Sequence, residues 1–374
     1  AERLGWATEQ LEEHVGPTIG GLLNATFGNA TELIVSVLAI QSGLLRVVQL
    51  SLLGSVLSNL LLVLGCAFFF GGLTHKTQTY SRDGATANTT LLVLGTVALL
   101  LPTMLHVADS ADTSYALSAS DGLHLSRLSS VCMLAIYAAF IYFQLVSHAD
   151  IFEGGDDDGG GGESTVGPGA AAAAGEFRGG KRGAVICLGL LTALISLLSE
   201  FIVSTIEGAA KGFGIPVAFM STILLPIVGN AAEHASAVMF AMRNKMDLAM
   251  GVAVGSATQI TLFGFPFAVV IAWAHGQPLS LDLQPFEAAV FTICVLGASL
   301  IISDGRANWL KGAALCLCYV IVAASFLYHG REGVNAAHAE PPHSTSIPHA
   351  LADSGLAAAT LSTSAHALAS APHA

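Results

Sequence analysis

Two glutamates lie in apolar surroundings that are nearly identical in sequence. Glu32 belongs to the segment GNATELI at 28–34, and Glu233 belongs to GNAAEHA at 229–235. An ionised carboxylate surrounded by hydrocarbon costs at least ~2.5 kcal/mol, so each glutamate must face a polar cavity, a cation or a proton. Because the motif occurs twice, we interpret both glutamates as functional rather than as structural buried acids.

The residues around each glutamate indicate the chemistry of the site. Residues three and four positions apart lie on one face of a helix. Each glutamate therefore shares its face with an asparagine and with a glycine, which lets another backbone approach and lets the helix present its carbonyl groups. Carboxylate, amide and carbonyl oxygens are the ligands that Ca²⁺ prefers. We predict an all-oxygen cation site around Glu32 and Glu233, supported by Gly28, Asn29, Gly229 and Asn230.

A second pair of similar segments follows one helix later in each case. GSVLSN begins at Gly54, and GSATQ begins at Gly255. Their neutral oxygens either orient the glutamates and line the ion path, or hold neighbouring helices together. The sequence leaves both roles open for Ser55, Ser58, Asn59, Ser256, Thr258 and Gln259.

Three more titratable residues are candidates for a proton path or a gate. Glu200 lies within the apolar segment SLLSEFIVSTIEG, and we interpret it as a partner of Glu9. A functional and a structural role are equally supported for this pair. His234 directly follows Glu233 but points about 100° away on a regular helix, so it serves either the pathway or packing.

The remaining polar residues predict no further site. The six cysteines fall mainly within apolar stretches and lack the spacing of a metal site, which favours small core residues. Glu287, beside Pro285, is expected at a membrane interface. The irregularly spaced histidines of the C-terminal tail favour a solvated segment over metal binding. We expect no cofactor, no enzymatic activity and, because no basic patch exists, no nucleic-acid partner.

Composition places the chain in the membrane. Of its 374 residues, 53% are hydrophobic and 11% are charged, against about a quarter charged in a soluble protein. An apolar run of roughly 18 residues is long enough to cross a bilayer as a helix. We predict an all-α polytopic membrane protein with nine such runs, at 17–41, 47–72, 88–108, 128–147, 183–207, 214–241, 248–274, 285–303 and 312–328.

The two motifs reveal an internal repeat. Both the glutamate segments and the Gly-Ser segments are 201 positions apart. The second glutamate lies five spans after the first, and an odd number means that the two helices cross the membrane in opposite directions. Such an inverted repeat is typical of secondary transporters with a site near the bilayer midplane. The predicted domains are a first repeat at 1–152, an acidic Gly-rich linker at 153–182, a second repeat at 183–330, and a disordered tail at 331–374.

The basic residues predict the orientation. Cytoplasmic loops of membrane proteins carry an excess of Lys and Arg. Ten of the 14 Lys and Arg residues fall on the side that contains the linker, so we assign that side to the cytosol. The opposite side receives Arg46, Arg127, Lys211 and Arg331.

Longer segments of the chain point to a known family. They are TIGGLLNATFGNATELI, LGSVLSNLLLVLG, LSRLSSV, YFQLVSHADIF, DGRANWLKG and LPIVGNAAEHASAVMFAMRNKMDLAMGVAVGSATQI. Over about residues 4–330, the chain closely resembles the vacuolar cation/proton exchangers, which are Ca²⁺/H⁺ antiporters of the cation/Ca²⁺ exchanger superfamily. The resemblance implies that Glu32 and Glu233 carry Ca²⁺ from the cytosol into the vacuole or another acidic organelle as protons return.

The resemblance also bears on the N-terminal end of the chain. LGWATEQL, at 4–11, resembles the end of the family's second helix. The first repeat is therefore expected to lack its opening element, and residues 1–374 alone are expected to transport poorly until the upstream segment is restored.

Two alternative functions remain at the level of the sequence. One is a Na⁺-coupled cation exchanger of the same fold, which a transport assay without Na⁺ would separate from a Ca²⁺/H⁺ antiporter. The other is an intramembrane hydrolase, which is disfavoured because the chain has no HExxH zinc motif. The partners predicted are Ca²⁺, H⁺ and membrane lipid, with the oligomeric state left open.

Overall fold

The computed structural model describes residues 27–111, 119–148 and 180–338. Ten helices and two short strands make up these residues. The helices are α1 (Ala30–Gln41), α2 (Leu45–Thr74), α3 (Arg82–Ala111), α4 (Ala119–Tyr142), α5 (Gly180–Phe213), α6 (Val217–Gly229), α7 (Ala231–Met242), α8 (Met246–Ala274), α9 (Pro285–Ile302) and α10 (Trp309–His338). Strands β1 (Gln78–Thr79) and β2 (Arg306–Ala307) pair antiparallel.

The predicted membrane spans are largely present as single helices. Within the described ranges, seven helices are long and apolar enough to cross a bilayer, and the bent pair of α6 and α7 would make an eighth if it crosses as one span. Helix α1 has 12 residues, because it begins only at Ala30, after a turn at Gly28 and Asn29. The part of the predicted span 17–41 that precedes residue 27 lies outside the described residues. The count of nine spans therefore stays a prediction. So does the division into domains, since most of the linker, 153–179, and most of the tail, 339–374, lie outside the described part of the chain. Residues 331–338, which the prediction assigns to a disordered tail, continue helix α10.

The prediction of one continuous helix over 214–241 is wrong. Helix α6 ends at Gly229 and α7 begins at Ala231, with an angle of 54° between them. Pro226 has no backbone N–H, and Gly229 is the poorest helix former after proline. The segment LPIVGN therefore weakens the helix where the glutamate motif starts.

Helices α2 and α8 form the centre of the molecule. In the most apolar stretch of each helix, 83% of the residues of α2 and 67% of those of α8 are buried, whereas only 11% of those of α5 are. The exposed leucine- and phenylalanine-rich face of α5 has the composition of a lipid-facing surface. Both central helices carry the Gly-Ser segments of the repeat, so the helices that the sequence singles out are those that the fold encloses.

The turns before the two central helices are equivalent in the two repeats. Gly43, between α1 and α2, has φ of 74°, and Asn244, between α7 and α8, has φ of 59°. These positions are 201 residues apart, as the motifs are. Glycine and asparagine are the residues that most readily adopt this left-handed conformation. Each repeat thus contains a tight helical hairpin closed by the same kind of turn.

The two hairpin turns are anchored at opposite ends of the molecule. Gln49, near the start of α2, donates to the carbonyl oxygens of Ser280 and Asp282 at 2.9 and 3.0 Å. Gln78, which follows α2, donates to the carbonyl oxygen of Ala241 at 2.7 Å and to Asn244 at 3.0 Å. Each hairpin of one repeat is therefore tied to the loop that follows the central helix of the other repeat.

Candidate functional site

The two motif helices run in opposite directions, as the odd number of intervening spans predicts. Helix α7 runs parallel to α2, because its start at Asn230 contacts Asn59 and its end at Ala241 packs against Gly71. Helix α1 is antiparallel to α2, since a three-residue turn joins them. Helices α1 and α7 are consequently antiparallel to each other.

Glu32 and Glu233 lie in the first turns of α1 and α7. Each glutamate is half-buried, and each follows by three residues a buried asparagine, Asn29 or Asn230. The sequence predicts a glutamate within a continuous helix, but α1 and α7 begin only at Ala30 and Ala231, directly after the asparagines. The positive end of each helix dipole therefore favours a carboxylate at this position.

The motif asparagines cross-link the two repeats. Asn29 donates through Nδ2 to Gln259 Oε1 at 2.6 Å. Asn230 donates through Nδ2 to Asn59 Oδ1 at 3.5 Å. Each asparagine thus reaches the Gly-Ser segment of the other repeat. Each repeat therefore contacts the other through its motif asparagine, as an approximate two-fold axis between the repeats would produce.

Several oxygens at this crossing have no hydrogen-bond partner in the described part of the protein. They include Glu233 Oε2 and Asn230 Oδ1, and Asn230 is 1% exposed. A buried acceptor without a partner costs roughly 1–3 kcal/mol. These atoms therefore indicate that something other than a protein group binds here. Because they are oxygen atoms, a hard cation or a water molecule is suited to the position.

His234 packs back onto the helix break. Its Nδ1–H donates to the carbonyl oxygen of Asn230 at 2.6 Å, and its backbone N–H bonds to the same oxygen at 3.0 Å. Nε2 is buried without a partner among the described residues. This geometry supports a role for His234 in holding the start of α7; a role in the ion pathway stays a prediction.

The remaining candidates lie in three kinds of environment. Ser55, Ser58, Asn59 and Ser256 are buried in the centre, and Gln259 is half-buried. Thr258 donates to the carbonyl oxygens of Val254 and Asn88, which favours the packing role left open for it. Gly229 is half-buried and Gly28 is exposed. Glu200 is exposed on α5, and Glu9 lies outside the described residues, so their pairing stays a prediction.

Some central residues are absent from the sequence-based prediction. Ser221 and Thr222 are fully buried, and their hydroxyls have no partner within the described ranges. They occupy a π-helical turn of α6, Met220–Leu224. The duplication gives no signal for them, because the repeat offset aligns them with Gly20 and Gly21 of the first repeat.

The described residues contain no group of three or more His, Cys, Asp and Glu side chains that could hold a metal ion. A cation at this site would therefore be held by two carboxylates together with neutral oxygens. That composition is suited to binding and releasing an ion rather than to retaining it.

Three features together define the class of protein. They are an inverted repeat, helices that break in the centre of the protein, and a glutamate at the start of each broken helix. This combination is that of a secondary active transporter.

Comparison with known proteins identifies the family. The family model described as sodium/calcium exchanger protein matches residues 1–146 and 183–328, and the chain belongs to this family. It is 50% identical over 331 residues to a protein of Oryza sativa subsp. japonica named vacuolar cation/proton exchanger 3, covering 88% of this chain and 77% of the relative.

Solved structures show the same fold. The crystal structure of the Ca²⁺/H⁺ antiporter protein YfkE superposes with a TM-score of 0.68 at 35% identity, over 87% of each chain. The H⁺/Ca²⁺ exchanger CAX superposes with a TM-score of 0.61 at 18% identity, over 89% of this chain and 83% of that one. The latter likeness bears on the fold alone.

Proposed function

We propose that this protein is a secondary active transporter that exchanges Ca²⁺ for H⁺ in the vacuolar membrane and moves cytosolic Ca²⁺ into the vacuole. The observation that carries the proposal is that Glu32 and Glu233 lie in the first turns of α1 and α7, three residues after the asparagines that join the two inverted repeats. The names of the rice relative and of the YfkE antiporter agree with these substrates.

The glutamate pair explains why the two substrates exclude each other. A cation between two carboxylates stabilises their charged forms. Without the cation, the like charges repel in a site of low polarity, so the pair takes up a proton and titrates as a unit. Protons therefore displace Ca²⁺ on the acidic side, and Ca²⁺ displaces protons on the cytosolic side. An empty, doubly charged site is avoided during the crossing.

The neighbouring residues support this exchange. In the proposed site, Glu32 and Glu233 bind the ion, and Asn230 Oδ1 supplies a neutral oxygen. The bonds from Asn29 to Gln259 and from Asn230 to Asn59 keep the two helix starts in register. The roles of Gly28, Gly229, Ser55, Ser58 and Ser256 along the ion path are part of the same proposal.

Transport in vesicles tests the proposal. The full-length protein is reconstituted in vesicles with an acidic interior and no Na⁺, and the uptake of radioactive Ca²⁺ is measured. We expect uptake that a protonophore abolishes. Glu233→Gln should reduce it to the level of protein-free vesicles, whereas Asp83→Asn, at an exposed position in the first turn of α3, should leave it unchanged. Uptake that follows an Na⁺ gradient and ignores the pH gradient would establish the Na⁺-coupled alternative instead.

A further inference from the structure

A row of buried hydroxyls leads from one end of the molecule towards the candidate site. On α2, Ser51 and Ser55 are spaced four residues apart and lie on one face, which continues to Asn59. Ser51 is 7% exposed and Ser55 is 3% exposed. Opposite them, Ser221 and Thr222 belong to the π-helical turn of α6 and are fully buried. We call Ser51, Ser55, Ser221 and Thr222 the hydroxyl row.

The two sides of the row are in close contact. A Cβ built on Gly54 would lie 2.1 Å from the carbonyl oxygen of Thr222 and 2.7 Å from the side chain of Pro226. The backbones of α2 and α6 therefore touch between Ser51 and Ser55. Thr222, Pro226 and Asn230 are spaced four residues apart, so the same face of α6 leads to the oxygen of Asn230 that has no partner.

The hydroxyls of Ser221 and Thr222 differ from others in this protein. Buried hydroxyls on helices usually bond to the carbonyl oxygen four residues earlier. Thr96 and Thr261 do so at 2.8 Å. Those of Ser221 and Thr222 have no hydrogen-bond partner in the described part of the chain. Buried polar atoms in such a setting are commonly satisfied by ordered water.

Most of the row has no counterpart in the other repeat. Helices α2 and α6 both begin on the side opposite the cytosolic linker, so the row lies between the lumenal end and the glutamates. The repeat offset aligns Ser51 with Val252, which is fully buried, and aligns Ser221 and Thr222 with Gly20 and Gly21. Only Ser55 aligns with another hydroxyl, that of Ser256. Three of the four positions therefore carry no hydroxyl group in the other repeat.

We propose that the hydroxyl row holds a chain of water molecules that carries protons between the vacuolar lumen and the site. Each water and hydroxyl in the chain takes up a proton from the oxygen before it as it releases its own proton to the oxygen after it. A proton that enters at Ser51 is therefore matched by one that leaves near Asn230, with no net change in the protonation of the row. This inference rests on the proposed exchange of Ca²⁺ for H⁺. It separates the lumenal proton route from the groups that hold Ca²⁺.

Two modes of transport distinguish this route from a structural role. Proton-driven Ca²⁺ uptake needs protons to pass, whereas exchange of labelled for unlabelled Ca²⁺ does not. We expect Thr222→Val and Ser221→Ala to slow proton-driven uptake about five- to tenfold, the change expected when one hydrogen-bonded step is lost, and to leave Ca²⁺/Ca²⁺ exchange unchanged. Thr222→Ser, which keeps the hydroxyl, should restore proton-driven uptake.

Thr261→Val is the matched control, because Thr261 is equally buried but its hydroxyl bonds to Ala257. It should leave both modes unchanged. The proposal is overturned if Thr222→Val and Ser221→Ala slow both modes equally, or neither. If the unaltered full-length protein shows no proton-driven uptake at all, the proposed function fails rather than this inference alone.

Hydroxyl-radical labelling of the unaltered protein gives a second measurement that does not depend on the folding of variants. Water bound in the row should cause rapid labelling of the peptide that contains 217–229, compared with the peptide that contains 248–255. Equal, slow labelling of both peptides contradicts a water-filled row.

Discussion

At the scale of single residues, the candidate site depends on two carboxylates that each begin a helix. Glu32 and Glu233 are only half-buried, and neither forms an ion pair with a basic side chain of the described residues. The ion pairs of the described residues lie elsewhere, as with Arg46 and Glu287 or Lys311 and Asp304. An acid pair without a fixed counter-charge is free to exchange a cation for protons, which a structural ion pair is not.

The glutamates should act as a unit. We expect Glu32→Gln or Glu233→Gln alone to abolish proton-driven Ca²⁺ uptake, with little further loss in the double variant, because glutamine keeps the shape but not the titratable charge. In the unaltered protein, the affinity for Ca²⁺ should fall as the pH is lowered, because protons compete for the same carboxylates. Uptake kinetics at several pH values measure both effects.

Near-normal, pH-dependent uptake by Glu233→Gln would require the shared site to be abandoned. Asp83→Asn serves as the control for a lost carboxylate, since Asp83 is exposed in the first turn of α3. Purified variants that still bind Ca²⁺ with unchanged pH dependence would likewise contradict the assignment of the pair.

At the scale of helices, irregular turns concentrate around the site. Four π-helical turns lie in α2, α6 and α8, at Ser58–Val63, Met220–Leu224, Gly251–Gly255 and Ile260–Gly264. Such turns are frequent at functional sites, because they displace carbonyl groups from the regular ladder. The central helices thus combine close packing with local departures from α geometry.

Gly54 is the position where packing between α2 and α6 is tightest. We expect Gly54→Ala to separate the two helices, because the added methyl group would overlap a backbone oxygen that cannot rotate away. Overpacking of a core typically costs ~1–3 kcal/mol, and a backbone contact should lie at the upper end of that range. A lower Tm of the purified protein and reduced Ca²⁺ uptake are the expected results.

Gly297 offers the control for this substitution. A Cβ built on Gly297 in α9 has no neighbour within 4 Å among the described residues, so Gly297→Ala should leave the Tm unchanged. An unchanged Tm and uptake for Gly54→Ala would show that α6 can shift without consequence.

At the scale of the whole molecule, the two repeats are held together at both ends. At the end that the charge pattern assigns to the lumen, Arg46 pairs with Glu287, and Gln49 bonds to the loop before α9. At the opposite end, Gln78 bonds to the α7–α8 turn, and Asp247 accepts from the backbone of Ser81 at 2.6 Å. Among the described residues, only the first of these ties, the lumenal tie, contains an ion pair between side chains of the two repeats.

Glu287 should depend on Arg46 for stability. Glu287 is 2% exposed, and besides Arg46 it accepts a hydrogen bond from the backbone N–H of Gln284 at 3.2 Å. Removing one partner of a fully buried pair costs ~3–5 kcal/mol. Because Arg46 is 37% exposed, we expect Arg46→Met to lower the Tm clearly, but by less than the loss of a fully buried partner would. The double variant Arg46→Met, Glu287→Met should lower the Tm by less than Arg46→Met alone.

Thermal unfolding of the purified variants measures this coupling. The single variant leaves a buried charge unpaired, whereas the double variant removes both charges. Glu287→Met alone completes the comparison. If the falls in Tm of Arg46→Met and Glu287→Met simply add in the double variant, the two side chains do not depend on each other. The lumenal tie is then not an ion pair in solution.

The sequence by itself determined the class of protein and the position of the repeat. Long apolar runs, such as 47–72, become membrane-spanning helices wherever they fold, because every backbone group must be satisfied in lipid. The offset of 201 residues between the motifs identified Glu32 and Glu233 and predicted antiparallel helices. These properties depend on composition and order along the chain, which can be read without knowing any contact.

The tertiary structure alone decided how the helices meet. The break at Asn230, the crossed asparagine bonds, the burial of Glu287 and the contact of Gly54 with Thr222 involve partners that no local pattern indicates. Asn29 and Gln259 are 230 residues apart. Their contact exists because helices pack through small residues that admit close approach, and which faces meet depends on all the neighbours at once.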